Sequence, residues 1–113
     1  MSFQIKRIYE SAERSDGIRI LVDRLWPRGL SRQKAHLDHW MKDIAPTPAL
    51  RTWFNHKPER FVEFRKRYKK ELAANSVLGE LRKLGVRKRV TLLYGARDPE
   101  INHAIVLQAV LMR

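Results

Sequence analysis

Two short stretches concentrate the side chains that can do chemistry. Asp23-Arg24-Leu25-Trp26-Pro27-Arg28-Gly29 sets two guanidinium groups, an indole and a carboxylate on one rigid turn. Arginine offers a planar fork that matches phosphate or carboxylate, and an indole offers a face for stacking. The second stretch is Tyr94-Gly95-Ala96-Arg97-Asp98-Pro99-Glu100-Ile101-Asn102-His103. A strand that turns there into a helix leaves the first helical amides unpaired, and such an end attracts anions. Arg24, Arg28 and Arg97 are therefore the candidate anion ligands. Trp26 and Tyr94 are candidate stacking surfaces, and Asn102 is a further polar group near the mouth of the crevice. His103 is the residue of this pair of stretches able to move a proton near neutral pH, with Asp23 as its candidate catalytic partner.

Each of these residues also has a plainer reading. Trp26 fits a plug in the core, Asp23 fits a pair with Arg24 or another nearby arginine, and Asp98 fits the cap of the last helix. A lone histidine fits a hydrogen bond to neighbouring backbone. No Ser-His-Asp arrangement follows from the spacing, so His103 is a base without a visible nucleophile. The chain has no cysteine, which excludes disulfides, thiolate nucleophiles and zinc-thiolate sites. His36, His39, His56 and His103 are too scattered for a metal site, and neither a metal nor a cofactor is expected.

Hydrophobic patterning indicates the elements that must position these groups. Phe3 to Ile8 alternates as a first strand, Tyr9 to Gly17 reads as a loop, and Ile18 to Leu25 reads as a strong strand broken by Trp26-Pro27-Arg28-Gly29. Residues 31–46 fit a short helix or turn over 31–36, capped by Ser31, followed by an extended stretch. Thr47-Pro48 starts a helix carrying Leu50, Trp53 and Phe54 on one face. Pro58 opens another, with Phe61, Phe64, Tyr68 and Leu72 at helical spacing. A third helix covers Val77 to Leu84 and stops at Gly85. Val90 to Tyr94 is a buried strand ended by Gly95. Asp98-Pro99-Glu100 then starts a largely apolar helix over Ile101 to Met112. Strands interspersed with helices predict an α/β fold, a small and mostly parallel sheet flanked by helices. In such sheets ligands sit beyond the carboxyl ends of the strands, where both candidate stretches lie. A length of 113 residues suits one compact domain.

The formal net charge is +12. A field of that size favours polyanions, whether phosphorylated ligands or nucleic acid. Arg65-Lys66-Arg67-Tyr68-Lys69-Lys70 is the densest basic run, and its Glu63–Arg67 and Arg67–Glu71 spacings suit an exposed amphipathic helix. A nucleic-acid-binding or regulatory module is thus the alternative to a small anionic ligand, although no helix-turn-helix or RNA-stacking strand is visible. A protein-interaction domain without ligand is the third reading, which an exposed apolar patch at Trp40 or Trp53 would favour. No secretory signal or membrane span is expected, which with the lack of cysteine fits a cytoplasmic protein.

The string Arg19-Ile20-Leu21-Val22-Asp23-Arg24-Leu25-Trp26-Pro27-Arg28-Gly29, with Leu92-Leu93-Tyr94 and Asn102-His103-Ala104 downstream, resembles the YeaO-like family of bacterial proteins. Asp43-Ile44-Ala45-Pro46 and the Leu50-Arg51 helix extend the similarity over essentially the whole chain. The resemblance implies a compact cytoplasmic α/β domain of unknown function and brings no catalytic residues with it. Longer, more distant relatives place a cysteine and a Cys-His-Arg element near the last strand and helix. Tyr94 and Asn102-His103 stand in that neighbourhood here, so a thiol mechanism cannot operate.

Overall fold

The structure, a computed structural model, describes residues 2–113. Strands β1 (Phe3–Arg7), β2 (Ile18–Leu21), β3 (His39–Trp40) and β4 (Val90–Tyr94) form one sheet in the order β1-β4-β2-β3. Every pairing is parallel, with Phe3 opposite Val90, Arg7 opposite Tyr94, Ile18 opposite Val90, and Ile20 opposite both Leu92 and His39. The helices are α1 (Arg32–Ala35), α2 (Pro48–Phe54), α3 (Phe61–Ala73), α4 (Val77–Arg87) and α5 (His103–Leu111). This is the α/β architecture that the patterning predicts. No helix among the described residues is long and apolar enough to cross a membrane.

β4 takes a central place because Val90-Thr91-Leu92-Leu93-Tyr94 carries no charge and can be buried on both faces. The period of two along a strand then splits the core. Val90, Leu92 and Tyr94 face a large cluster with Ile20, Val22, Phe64, Tyr68, Leu81 and Leu107, which draws on α2 to α5. Leu21 and Leu93 face a smaller cluster with Ile8 and Ala35, roofed by Trp26, Leu30, Leu37 and Trp40. The helical cover is thus unequal, with four helices on one face and one short helix with loops on the other.

Phe61, Phe64, Tyr68 and Leu72 form the buried face of α3, as their spacing predicts. Phe64 stacks on Phe54 of α2 at 4.2 Å between ring centroids. The Tyr68 hydroxyl donates to the Ile44 carbonyl at 2.7 Å, and burial pushes its pKa far above the ordinary phenol value. Thr47 caps α2 through Leu50 N–H, with Pro48 in the first turn. The Glu63–Arg67 pair forms at 3.0 Å. Arg67 is not paired with Glu71, because the Glu71 carboxylate accepts the Thr47 amide and hydroxyl at 3.0 and 2.7 Å. The Arg67 guanidinium instead covers Trp53 at 4.2 Å.

Four boundaries differ from the sequence reading. β2 ends at Leu21 rather than Leu25, since β3 offers only two partner residues and the chain then bends at Arg24 and Leu25. Pro58 opens a single 3₁₀ turn, and the α-helix proper begins at Phe61. α4 continues through Gly85 to Arg87. Gly85 is not a left-handed terminus but a site of close approach, where a Cβ would sit 2.2 Å from the Phe3 ring. The last helix begins at His103, capped by Asn102, whose Oδ1 accepts Ile105 N–H at 2.9 Å. Asp98 caps the preceding turn instead, accepting from Glu100 N–H and Ile101 N–H.

On the thinly covered face, a polar cluster replaces apolar packing. Asp16 is 2% exposed and Arg19 is 5% exposed, and they form an ion pair. Lys6 Nζ lies 3.1 Å from Asp16 and 2.9 Å from Glu13. Arg19 also donates to the Ala35 and His36 carbonyls, so the cluster fastens α1 to β2. Burial by itself would raise the Asp16 carboxyl, but the Glu13 amide, Lys6 and Arg19 outweigh it and hold the pKa below its ordinary value of 3.8. Stability from this group is therefore present at neutral pH and lost as pH falls below 3.8 through the folded-state value.

Two measurements check these points. Asp16→Asn leaves Arg19 and Lys6 buried without their charge partner, and chemical denaturation at pH 7 should show a loss of about 3 kcal/mol. That deficit should shrink toward pH 3, and a constant deficit would contradict the assignment. Gly79→Ala has no neighbour within 4 Å of the new methyl and should stabilise α4 by about 0.5–1 kcal/mol. Gly85→Ala should lower the melting temperature despite the same helical gain, because the Phe3 ring must move.

Candidate anion-binding site

An all-parallel sheet delivers the ends of its strands to one edge. Arg7 and Tyr9 follow β1, Asp23 to Arg28 follow β2, and Gly95 to Arg97 follow β4, so three loops meet there. The end of α2 and the residues after it contribute Arg51, Phe54 and His56. Together with Asn102 and His103 at the start of α5, these residues line an open cavity of about 530 Å³. Its lining contains five arginines, Arg7, Arg24, Arg28, Arg51 and Arg97, against the single carboxylate of Asp23.

Asp23 joins the loops. Its Oδ2 accepts Gly95 N–H at 2.9 Å, and its carbonyl accepts the Trp40 indole N–H at 2.7 Å. A Cβ on residue 95 would stand 3.0 Å from that carboxylate and 3.7 Å from the Pro27 ring, which explains the glycine. Asp23 therefore pairs with the β4 loop and not with Arg24. Its Oδ1 lies 3.2 Å from His103 Nε2, yet this buried oxygen has no hydrogen bond. His103 Nε2 is directed to the Val22 carbonyl at 3.0 Å. A carbonyl can only accept, so Nε2 carries a proton and cannot take one up.

Residues 2–113 match a family described as the inactive DUF488-N3 subclade. The chain belongs to this family. It is 44% identical over 108 residues to the uncharacterized protein YeaO of Escherichia coli (strain K12), covering 95% of this chain and 94% of that protein. It is likewise 44% identical over 108 residues to the uncharacterized protein Rv3073c of Mycobacterium tuberculosis (strain ATCC 25618 / H37Rv), covering 96% of this chain and 92% of that protein. The YeaO-like resemblance carried by the Asp-Arg-Leu-Trp-Pro-Arg-Gly string is thereby established. No solved structure matches.

In this DUF488-N3 chain, Asp23, Arg24, Trp26, Arg28, Arg97, Asn102 and His103 all line one cavity. Tyr94 does not. It is 2% exposed within the large core, and its phenol is pushed upward by burial and then by the Glu10 carboxylate. Asn102 is buried and spends both ends of its amide, on Ile105 N–H and on the Asp98 carbonyl at 2.8 Å. Trp26 is half-buried, donating to the Leu30 carbonyl and packing edge-on against Trp40 at 5.2 Å. Arg24 is fastened to the Ala45 and Pro46 carbonyls at 3.3 Å each. Arg28 and Arg97 are exposed, and no described residue accepts a hydrogen bond from either side chain.

Sequence reasoning missed Arg7, Tyr9, Arg51 and His56. Arg7 ends β1 directly opposite Tyr94, so the strand register alone would have revealed it. Its Nε donates to the Ala96 carbonyl at 2.8 Å, and the Tyr9 hydroxyl donates to the Arg28 carbonyl at 2.8 Å. Arg51 and His56 are brought in by α2, and no motif at their positions signals it. Trp40 and Trp53 offer no bare apolar patch. Arg32 and Lys42 cover the first, and Arg60 and Arg67 cover the second.

The Asp23 junction can be tested directly. Asp23→Ala orphans Gly95 N–H and should cost about 1–3 kcal/mol in urea denaturation. Asp23→Asn retains an acceptor at the same place and should recover most of that loss. Equal losses in both variants would show that charge, and not the hydrogen bond, holds the loops.

Proposed function

We propose that the chain binds a small anionic ligand, phosphorylated or carboxylate, at the carboxyl edge of its sheet, as a binding protein and not as a catalyst. The observation that carries this reading is the gathering of five arginines around one cavity whose lone carboxylate is turned inward onto Gly95. Such a cavity holds a net positive potential that a bound anion would neutralise. Guanidinium groups also bond phosphate and carboxylate bidentately.

Three features favour binding over catalysis. The described lining residues include no serine, threonine, cysteine or lysine to act as a nucleophile. His103 has its Nε2 proton committed to Val22, and the single carboxylate of the lining serves the loop junction. The family description, an inactive subclade, agrees with this reading.

Isothermal titration of the full chain with inorganic pyrophosphate and with citrate at low salt tests it. A measurable affinity is expected for at least one, together with a rise in melting temperature. Arg28→Ala and Arg97→Ala should each weaken binding about tenfold or more, the scale of one lost charge-assisted hydrogen bond. Both side chains are exposed, so the variants should melt close to the unliganded parent. Affinity unaffected by either substitution would defeat the proposal.

A further inference from the structure

The cavity is larger than one inorganic anion requires, and its wall is chemically divided. About 530 Å³ lies within the range of roughly 300–1,000 Å³ found for sites that take organic ligands of drug size. On the sheet side, Arg7 and Arg28 are linked through the β1 loop. The Tyr9 hydroxyl holds the Arg28 carbonyl at 2.8 Å, and the Arg7 guanidinium lies 5.0 Å from the Tyr9 ring. Arg7 also reaches the Ala96 carbonyl, next to Arg97. The α2 side is aromatic instead. Phe54 backs the cavity there, and the His56 ring stands 6.2 Å from it at a tilt of 44°.

His56 is held in an unusual way. Asn55 ends α2 in the left-handed region at φ +46°, as asparagine commonly does, and His56 follows at φ +54°. Two successive non-glycine residues there are uncommon, and such backbone is retained where a site uses it. The His56 side chain is exposed and has no hydrogen bond among the described residues, so the fold itself gains nothing polar from it. What the strained turn achieves is to set a flat, solvent-accessible ring on the cavity wall beside Phe54.

We infer that the ligand is a phosphate ester carrying a flat heterocyclic ring, the chemistry of a mononucleotide. Its phosphate sits among Arg7, Arg28 and Arg97, and its ring lies against His56 and Phe54. This deepens the anion-binding reading and rests on it.

Isothermal titration of the full chain with AMP, ribose 5-phosphate and inorganic phosphate separates the two ideas. AMP should bind about tenfold or more tightly than ribose 5-phosphate, the gain expected from one base stacking on aromatic side chains. His56→Gly accepts the same backbone without strain, so its circular dichroism and melting should match the parent or improve on it. In that variant AMP should weaken to the level of ribose 5-phosphate, whose own affinity stays unchanged. Equal binding of AMP and ribose 5-phosphate by the parent overturns the ring while leaving the anion reading intact. Persistence of the AMP preference in His56→Gly overturns the placement of the ring on His56. Failure of all three compounds to bind overturns the mononucleotide inference, and removes the anion reading itself only if pyrophosphate and citrate also fail to bind.

Discussion

The junction at Asp23 is the constraint on which the rest of the site depends. One residue uses its carboxylate to hold the β4 loop at Gly95 and its carbonyl to hold Trp40 at the sheet edge. The preceding carbonyl, that of Val22, receives the His103 ring at the start of α5. Three connections that are far apart in sequence are thereby locked at one point. Arg24 and Arg97 stand on the two loops joined at this point, while Arg7 and Arg51 reach the same cavity from β1 and α2. Like charges so placed repel one another, and the repulsion must be borne by a rigid frame.

A carboxylate next to a histidine suggests proton transfer when the two are read as isolated residues. Here one carboxylate oxygen accepts a backbone amide, and the imidazole Nε2 donates to a carbonyl. Both residues line the cavity, together with five guanidinium groups. The strongly basic composition has a further outlet elsewhere, since Arg32, Lys42, Arg60 and Arg67 lie over Trp26, Trp40 and Trp53 and cover rings that would otherwise be bare. Such stacking binds cation to ring while leaving the charge in water.

The two faces of the sheet are stabilised by different physics. Four helices press apolar side chains onto one face, with Phe54, Phe64 and Tyr68 stacked along α2 and α3. The opposite face has too little cover for that, and at its amino end Lys6, Asp16 and Arg19 form a buried ionic cluster, with Thr91 donating to the Asp16 carbonyl at 2.6 Å. A fully paired cluster is tolerable in a thin layer, while any single unpaired member would be costly.

Local rules in the sequence determined much of this. The Thr47-Pro48 start of α2, the 3–4 spacing along α3 and the uncharged run of β4 each depend on neighbours within one or two turns of chain, so they were legible. The parallel α/β class followed from strands interspersed with helices, whereas the order β1-β4-β2-β3, which makes the Asp23 and Gly95 loops neighbours, came only with the folded chain. Tertiary contacts decided the rest. Gly85 reads as a helix stop until the Phe3 ring, 82 residues away in number, is seen to need its missing side chain. Tyr94 reads as a stacking surface until the alternation of β4 turns it into the core. Arg7, Arg51 and His56 carry no local signal, because their place at the cavity comes from strand register and from the packing of α2 on α3. Short-range patterns state which element a residue joins, whereas the direction its side chain faces across the fold is set by partners that only the folded chain brings near.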